Sequence, residues 1–275
     1  MRWASIACVG LAACAGAEAT TLPPQQPPHV APVAEGSAAP GELGLDPGEA
    51  MAFEVRFGGV LAGDAQLAVG QLGERDGHRA IVVKSRAATA GVAALVKSIS
   101  DETTTVIDAD TGRPLQLDTT AVVDGTTTTA HAEFTASAAN VTYSKQGDAK
   151  VRRYRVNFAG QTAYDTHSAM AQLRGWHAHP GATRTVYVVG GKRLWRVDVK
   201  FAGIESIGSS MGNRRAVRFE GSAYRARPNL SLESQTATRT FSVWLTDDAD
   251  RVPLKLVAKT ELGDVTMNLT DYTRP

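Results

Sequence analysis

The chain has 275 residues, with 29 Lys and Arg against 28 Asp and Glu and a net charge of +1 at pH 7. This balance gives no electrostatic reason to expect nucleic acid as a partner, because phosphate binding needs a basic surface. Both cysteines, Cys8 and Cys14, lie in the first 14 residues, so the rest of the chain has no disulfide and no thiolate metal site. No later apolar stretch reaches the roughly 18 residues that predict a transmembrane helix.

The first 14 residues, MRWASIACVGLAAC, are typical of a secretory signal peptide, with Arg2 as the positive start and a short apolar core. Leu11 to Cys14 resembles the bacterial lipobox, in which the cysteine becomes the mature N-terminus and carries the lipid. The resemblance implies lipid attachment at Cys14. Ala15, in place of an aspartate, implies an outer-membrane lipoprotein that faces the periplasm. The alternative is a plain secretory signal with an incidental cysteine.

Residues 15–47 hold most of the prolines, together with much alanine and glycine, and have little to bury. This composition predicts a disordered, semi-stiff tether. Residues 48–275 are predicted to form a single β-rich domain, which is long enough to bury its own core.

The domain begins with alternating apolar residues on both sides of a Gly58-Gly59 turn, which predicts two strands. Residues 78–88 predict a third strand. Residues 89–100 change period, because Val92, Leu95 and Val96 recur at helical spacing, and they predict a short amphipathic helix.

Strands are then predicted over residues 102–106, 115–123, 126–134, 141–144 and 150–158. A helix is predicted over residues 165–176, with Asp165 or Thr166 as its N-cap and Gly175 as its stop. Gly190-Gly191 marks the turn of a hairpin that spans residues 183–201. Residues 205–208 and 213–224 again read as strands.

Residues 240–269 contain the segments FSVWLTDD, VPLKLVAK and VTMNL. Their period of two predicts three antiparallel strands. In all, the pattern predicts about thirteen strands and two short helices, without the β-α-β rhythm of parallel sheets. The predicted fold is a large, curved antiparallel sheet that forms an open barrel or bowl. A β-sandwich is the alternative.

Four segments carry a family resemblance: GEAMAFEVRFGGVLAGDAQL, DTHSAMAQLRGW, GGKRLWRVDVKFAGIESI and FSVWLTDDADRVPLKLVAKTELGDVTMNL. With their order, they resemble domain-of-unknown-function family 3108, a family of exported bacterial proteins. The resemblance implies a mostly antiparallel β domain in the cell envelope and brings no catalytic residue. Many strands, few helices, an anchor and a tether also resemble the architecture of lipoprotein carriers.

One serine motif and one group of histidines could form functional sites. Ser210 lies in GSSMG, which formally matches the G-x-S-x-G of hydrolases, but no histidine follows it in the chain. His177 and His179, with His167, could ligate a metal, yet a solvated loop explains them more simply. We therefore predict no catalytic residue and no metal site here.

Two clusters of charge invite structural explanations. Asp247, Asp248 and Asp250 lack the Gly and Glu of a calcium loop, and aspartate is a common turn residue. Charged residues also interrupt otherwise apolar segments at three positions, Asp165, Arg174 and Glu205. We expect these side chains to act as a helix cap or to form ion pairs.

The tryptophans are the candidate ligand contacts: Trp176, Trp195 and Trp244. Trp244 is the unusual one, because alternation places it opposite Phe241 and Val243, so it faces either solvent or a cavity. Core packing is the alternative explanation for all three.

Two functions follow from these observations. The first is a non-enzymatic envelope lipoprotein, without a cofactor, whose sheet binds a lipid, another apolar ligand or an envelope protein. It predicts an apolar cavity of several hundred Å³. The second is a structural or assembly-partner lipoprotein with a filled core. A hydrolase is a distant third.

Overall fold

A computed structural model describes residues 31–32, 43–158, 160–260 and 263–275. Cys14, the leader and most of the predicted tether lie outside these residues. The described chain contains two helices, α1 Gly91–Val96 and α2 Thr166–Arg174. Its strands are β1 Ala31–Pro32, β2 Ala50–Phe57, β3 Val60–Arg75, β4 His78–Thr89, β5 Ile99–Asp108, β6 Pro114–Val123, β7 Thr126–Phe134, β8 Ala138–Lys145, β9 Arg152–Asn157, β10 Ala163–Tyr164, β11 Thr183–Gly190, β12 Arg193–Ser209, β13 Gly212–Ala226, β14 Arg239–Thr246, β15 Pro253–Thr260 and β16 Gly263–Thr273.

These strands form one continuous sheet in the order β10 to β16, then β2 to β9, with β1 beside β3. The predicted C-terminal meander is confirmed, because β14, β15 and β16 pair antiparallel in chain order. One continuous ladder also rules out the alternative of two separate sandwiched sheets.

A single parallel pair joins β10 to β11, with Ala163 opposite Tyr187. The sequence pattern gave no reason to expect parallel pairing, and here it is confined to a strand of two residues. Its cause is the path of the chain, since α2 carries the chain from β10 back to β11 and a helical crossover brings neighbouring strands into parallel.

The two edges of the sheet, β9 and β10, follow each other directly in the chain, and side-chain packing covers the seam between them. Leu117, Val141 and Val156 pack in one buried cluster with Leu194 and other residues of β11–β13. No backbone ladder joins β9 to these strands in the described part of the chain. The sheet is therefore an open barrel: its edge strands are not joined by backbone hydrogen bonds, and apolar side chains fill the seam between them.

Helix α2 lies inside this barrel and packs against both of its halves. Ala171 is fully buried in a cluster with Ile81 and Ile107. Met170 and Leu173 face the opposite wall, where they pack against β11–β14. The helix begins one residue after Asp165, as predicted, and ends at Arg174 rather than Trp176.

The segment before β2 belongs to the packed domain. Leu45 is buried among side chains of β3, β4 and α2. Gly44 adopts a positive φ of 63°, and a Cβ there would lie 2.2 Å from the carbonyl oxygen of Ala171. The packed chain thus begins several residues before Gly48, within the range that the composition had assigned to the tether.

Helix α1 forms where the helical spacing predicted it, but its apolar side chains are not covered. Val92, Leu95 and Val96 are 76%, 86% and 84% exposed. The helix has six residues and no side-chain cap, and none of its residues is buried. Neither helix of the described residues has the length and apolar character needed to cross a membrane.

Candidate functional site

An apolar cavity of about 90 Å³ lies between α2 and the inner face of β11, β12, β14 and β15. Alternate residues of each strand share this face, so a period of two in the sequence becomes an apolar wall. The helix contributes Ala169, Met170, Leu173 and Trp176. The sheet contributes Val186, Val188, Trp195, Val197, Val199, Phe241, Val243 and Leu256, and the polar residues at the rim are Thr166, Gln172 and Arg184.

Two of the three candidate tryptophans meet at this cavity. Trp176 stacks on Phe219, with ring centroids 5.5 Å apart and an interplanar angle of 25°. Trp195 is almost fully buried, and its indole Nε1–H has no hydrogen-bond partner among the described residues. An unsatisfied buried donor is costly, and a ligand acceptor would satisfy it.

The third tryptophan, Trp244, is not part of the cavity lining. Its indole Nε1 donates to Glu205 Oε1 at 2.5 Å, and the Lys255 ammonium lies 5.4 Å from its ring centroid. It packs instead against a cluster that contains Leu254 and Leu269. The structure thus places Trp244 apart from Trp176 and Trp195.

Phe241 reaches the cavity because its cross-strand partner has no side chain. Gly221 pairs with Phe241 in the ladder between β13 and β14. A Cβ on Gly221 would lie only 2.0 Å from the Phe241 ring, so the ring lies directly over the glycine backbone. Any larger residue at this position would force the ring away and reshape the cavity wall.

Two arginines flank Trp195 at one end of the cavity. The guanidinium carbons of Arg225 and Arg239 lie 5.7 Å and 5.6 Å from the Trp195 ring centroid, within the range of cation–π attraction. Arg225 is the register partner of Trp195, and Arg239 lies two residues before Phe241 on the same face. Neither arginine was predicted from the sequence as a site residue, although each occupies an inward position on its strand.

A second cavity, of about 300 Å³, lies at the seam of the barrel and is rich in cations. Five cations border this cavity, Arg155, Lys192, Arg193, Arg225 and Arg227, and Glu233 is its acidic residue. Lys192 reaches across the seam, and its ammonium lies 5.3 Å and 5.2 Å from the ring centroids of Tyr143 and Tyr154.

The N-terminus of α2 is held by a buried polar network. Thr105 Oγ1 donates to Asp165 Oδ2 at 2.6 Å and lies 2.8 Å from His167 Nδ1, while Ser85 Oγ lies 2.8 Å from His167 Nε2. Burial lowers the pKa of His167, and the nearby Asp165 carboxylate opposes this only in part. A neutral imidazole that donates from Nδ1 and accepts at Nε2 satisfies every contact.

The C-terminus of α2 is held by a buried ion pair, one of the two roles expected for Arg174, but its partner Glu49 was not predicted from the sequence. Arg174 Nη2 donates to Glu49 Oε2 and to the Asp250 carbonyl oxygen, both at 2.9 Å, and Arg174 Nη1 also donates to Glu49. Burial and the nearby Glu49 carboxylate raise the pKa of Tyr272 to about 12. Arg174 pairs with Glu49, while Glu205 lies elsewhere, beside Trp244 and Arg218.

The remaining sequence motifs lie in turns and loops. Ser210 is exposed in the two-residue turn between β12 and β13, not on a strand-to-helix elbow. The carboxylate of Asp247 binds Arg215, that of Asp248 accepts from Thr246, and that of Asp250 binds Arg274. His177 and His179 are exposed, and no three His, Cys, Asp or Glu residues of the described chain cluster as metal ligands would.

Comparison with protein families identifies the domain that carries these features. Residues 52–270 match the family described as Protein of unknown function (DUF3108). The chain belongs to the DUF3108 family. The four quoted segments therefore predicted the family correctly, and the match spans every strand from β3 to β15. No curated protein matches this DUF3108 chain.

The DUF3108 fold is similar to that of a beta-barrel-like protein of the domain of unknown function DUF1849 from Brucella abortus. The TM-score is 0.52 at 10% identity, over 82% of this chain and 96% of the other. An exported protein with a YmcC-like fold from Bacteroides fragilis, provisionally so described, gives a TM-score of 0.34 at 13% identity, over 83% and 97%. A provisionally described lipoprotein from Parabacteroides distasonis gives 0.34 at 8%, over 83% and 96%. The first likeness supports the barrel-like fold, and the other two are too remote to bear on function.

Proposed function

We propose that this DUF3108 protein is a membrane-anchored lipoprotein of the cell envelope that binds an apolar or amphipathic ligand without chemically changing it. The observation that carries this proposal is the apolar cavity under α2, which is walled by Trp176 and Trp195. Binding sites of this kind combine an apolar lining with a few placed polar groups. Export and anchoring rest on the signal-like leader and on Cys14 in its lipobox.

The size of the cavity limits how much of a ligand it can enclose. At about 90 Å³ it is smaller than the several hundred Å³ expected for a site that encloses a whole lipid. It suits a few methylene groups, such as the end of an acyl chain.

A structural or assembly-partner role is the second candidate, and the small volume of the cavity favours it. Trp195, Phe201 and Phe219 are almost fully buried, so much of the barrel interior is filled by side chains. A hydrolase ranks third, because Ser210 lies in a hairpin turn without a partner histidine. We accordingly propose a non-enzymatic protein that needs no cofactor.

Native mass spectrometry of the protein, released from its own envelope, tests ligand binding. We expect co-purifying lipid in the wild type and its loss in Ala169→Leu, which extends a side chain into the cavity. Ala149→Leu makes the same substitution at an exposed position away from the cavity and should leave the lipid in place. Lipid-free wild-type protein, with no thermal shift on adding lipids, would favour the structural role instead.

The anchor has a test of its own. A Cys14→Ser variant should lose acyl labelling and move from the membrane fraction to the soluble periplasm, because the serine cannot carry the diacylglyceryl group. Stable anchoring needs more than one acyl chain, at about 0.8 kcal/mol for each buried CH₂. Cys8→Ser is the matched control and should remain at the membrane. If Cys14→Ser also remains there, the lipoprotein assignment is wrong.

A further inference from the structure

Two cavities of opposite character are linked by the contact between Arg225 and Trp195. Trp195 lines the apolar cavity and pairs with Arg225 across the ladder between β12 and β13. The cationic cavity of about 300 Å³ at the barrel seam is also bordered by Arg225. A molecule bound at this point can therefore touch an apolar wall on one side and positive charge on the other.

The positive charge of the cationic cavity is not balanced locally. None of Arg155, Lys192, Arg193, Arg225 and Arg227 forms an ion pair within the described part of the chain, whereas arginines elsewhere, such as Arg196 and Arg218, are paired. Glu233 is the acidic residue of the lining, and it is exposed. Clustered cations that lack a carboxylate partner repel one another and favour the binding of an anion.

Unsatisfied donors lie at the contact between Arg225 and Trp195. Arg225 Nε and Trp195 Nε1 are both buried, and neither has a hydrogen-bond partner among the described residues. Trp195 is only 2% exposed, so water cannot readily satisfy its N–H. A buried N–H without an acceptor costs free energy that an acidic ligand oxygen would recover.

From these contacts we infer that the ligand is an anionic amphiphile. Its acidic group, a phosphate or carboxylate, binds in the cationic cavity at Arg225, and its apolar chain enters the cavity between Trp195 and α2. Arginine suits this role because its planar guanidinium binds both acidic groups through two parallel hydrogen bonds. The inference rests on the proposed ligand-binding function and names the chemical class of the ligand.

Isothermal titration with three probes separates the acidic group from the chain: dodecyl phosphate, dodecanol and inorganic phosphate. The full-length chain, carrying Cys14→Ser to avoid detergent, is titrated with each probe, and a change in tryptophan fluorescence that is absent in Trp195→Phe reports occupancy at Trp195. We expect dodecyl phosphate to bind at least about tenfold more tightly than dodecanol, the effect of one charge-assisted contact. Inorganic phosphate should bind more weakly than dodecyl phosphate, because it lacks the chain.

Variants at Arg225 complete the test. Arg225→Gln should weaken the binding of dodecyl phosphate by about tenfold and leave the affinity for dodecanol unchanged. Arg225→Lys should recover part of the lost affinity for dodecyl phosphate. Arg153→Gln removes an exposed charge from β9 that borders neither cavity, and should change nothing. A matched melting temperature in Arg225→Lys and the wild type shows that the fold is retained.

Each contrary outcome is distinct. Equal affinity for dodecyl phosphate and dodecanol would show that the acidic group is not recognised. Unchanged affinity of Arg225→Gln for dodecyl phosphate would show the same. Either result leaves the proposed binding of an apolar ligand standing. Equal affinity for inorganic and dodecyl phosphate makes this an anion site without a chain, which also overturns the amphiphile. If no probe binds, the proposed function and this inference fail together.

Discussion

At the scale of single residues, α2 is fixed inside the barrel by buried polar contacts at each of its ends. The contact at the C-terminus joins Arg174 to Glu49, 125 residues away, and both side chains are almost fully buried. Burying a charge is tolerable only when a partner and further hydrogen bonds satisfy it. The Asp250 carbonyl supplies one of these additional bonds.

Arg174→Met should therefore destabilise the domain strongly, because it leaves the Glu49 carboxylate buried without its cation. The expected loss in the free energy of unfolding is about 3–5 kcal/mol, measured by urea denaturation. Adding Glu49→Leu removes the orphan charge and should restore much of that loss. If the double variant is no more stable than Arg174→Met, the ion pair does not explain the effect.

The contact at the N-terminus of α2 makes stability depend on pH. Burial lowers the pKa of His167 from 6.5. Below about pH 6.5 the unfolded chain therefore binds more protons at His167 than the folded protein does. The contribution of neutral His167 is complete above that pH and is lost as the pH falls. The slope is at most about 1.4 kcal/mol for each pH unit.

His167→Gln should flatten this dependence. Glutamine keeps a hydrogen bond within reach of Ser85 but has no titratable group. We expect the wild type to lose more stability than the variant between about pH 7.5 and about pH 5, as measured by urea denaturation at several pH values. His78 and His131 are present in both proteins, so their contributions cancel. Parallel pH profiles would show that His167 is not the titrating group.

At the scale of elements, the two helices show what a periodic pattern does and does not specify. In α2, Asp165 accepts hydrogen bonds from the backbone N–H groups of His167 and Ser168, as the sequence predicted for an N-cap. In α1 the same 3.6-residue spacing correctly predicted a helix, but its apolar face is exposed. Spacing defines a face and leaves open what that face contacts, because the contacts depend on distant residues.

A pair of identical substitutions measures this contrast. Leu95→Ala on α1 should change the free energy of unfolding by less than about 0.5 kcal/mol, since its side chain is 86% exposed. Leu254→Ala on β15, where the side chain is 1% exposed, should cost about 2–5 kcal/mol through lost burial and a residual cavity. A comparable cost at both sites would mean that α1 is covered in solution.

The strands also show that a local pattern predicts which way a side chain faces but not what it contacts. A period of two predicted β14, β15 and β16, and correctly placed Trp244 opposite Val243, because alternation is a local property. It could not decide which tryptophans share a cavity. That depends on the packing of α2 against β11–β14 and on the order of the strands in the sheet, and neighbouring residues determine neither.

At the scale of the whole molecule, the order of the strands is a circular shift of the order of the chain. The last strand, β16, pairs with the first strand of the domain, β2, so both lie in the middle of the sheet. The ends of the sheet, β9 and β10, are instead joined directly by the chain. Local patterns could not predict this arrangement, because it depends on contact between segments more than 200 residues apart, such as Val55 with Met267.

This arrangement predicts that the chain can be circularly permuted at the seam. A Cβ on Gly48 would lie 3.5 Å from Pro275 Cβ, so a linker of about eight Gly and Ser residues should join Pro275 to Leu43. New termini at the exposed Gly160 and Gln161 would make chain order and sheet order the same, from β10 to β9.

The permutant opened at the seam should fold, because every ladder of the main sheet is kept and the new termini fall in an exposed loop. We expect a circular dichroism spectrum like that of the wild type and a melting temperature within about 8 °C, which corresponds to a change of roughly 1–2 kcal/mol. A second permutant, opened between Asp165 and Thr166, places charged termini in the buried network at the N-terminus of α2 and should be strongly destabilised. An unfolded seam permutant would mean that the link between β9 and β10 is required to bring the two edges of the barrel together.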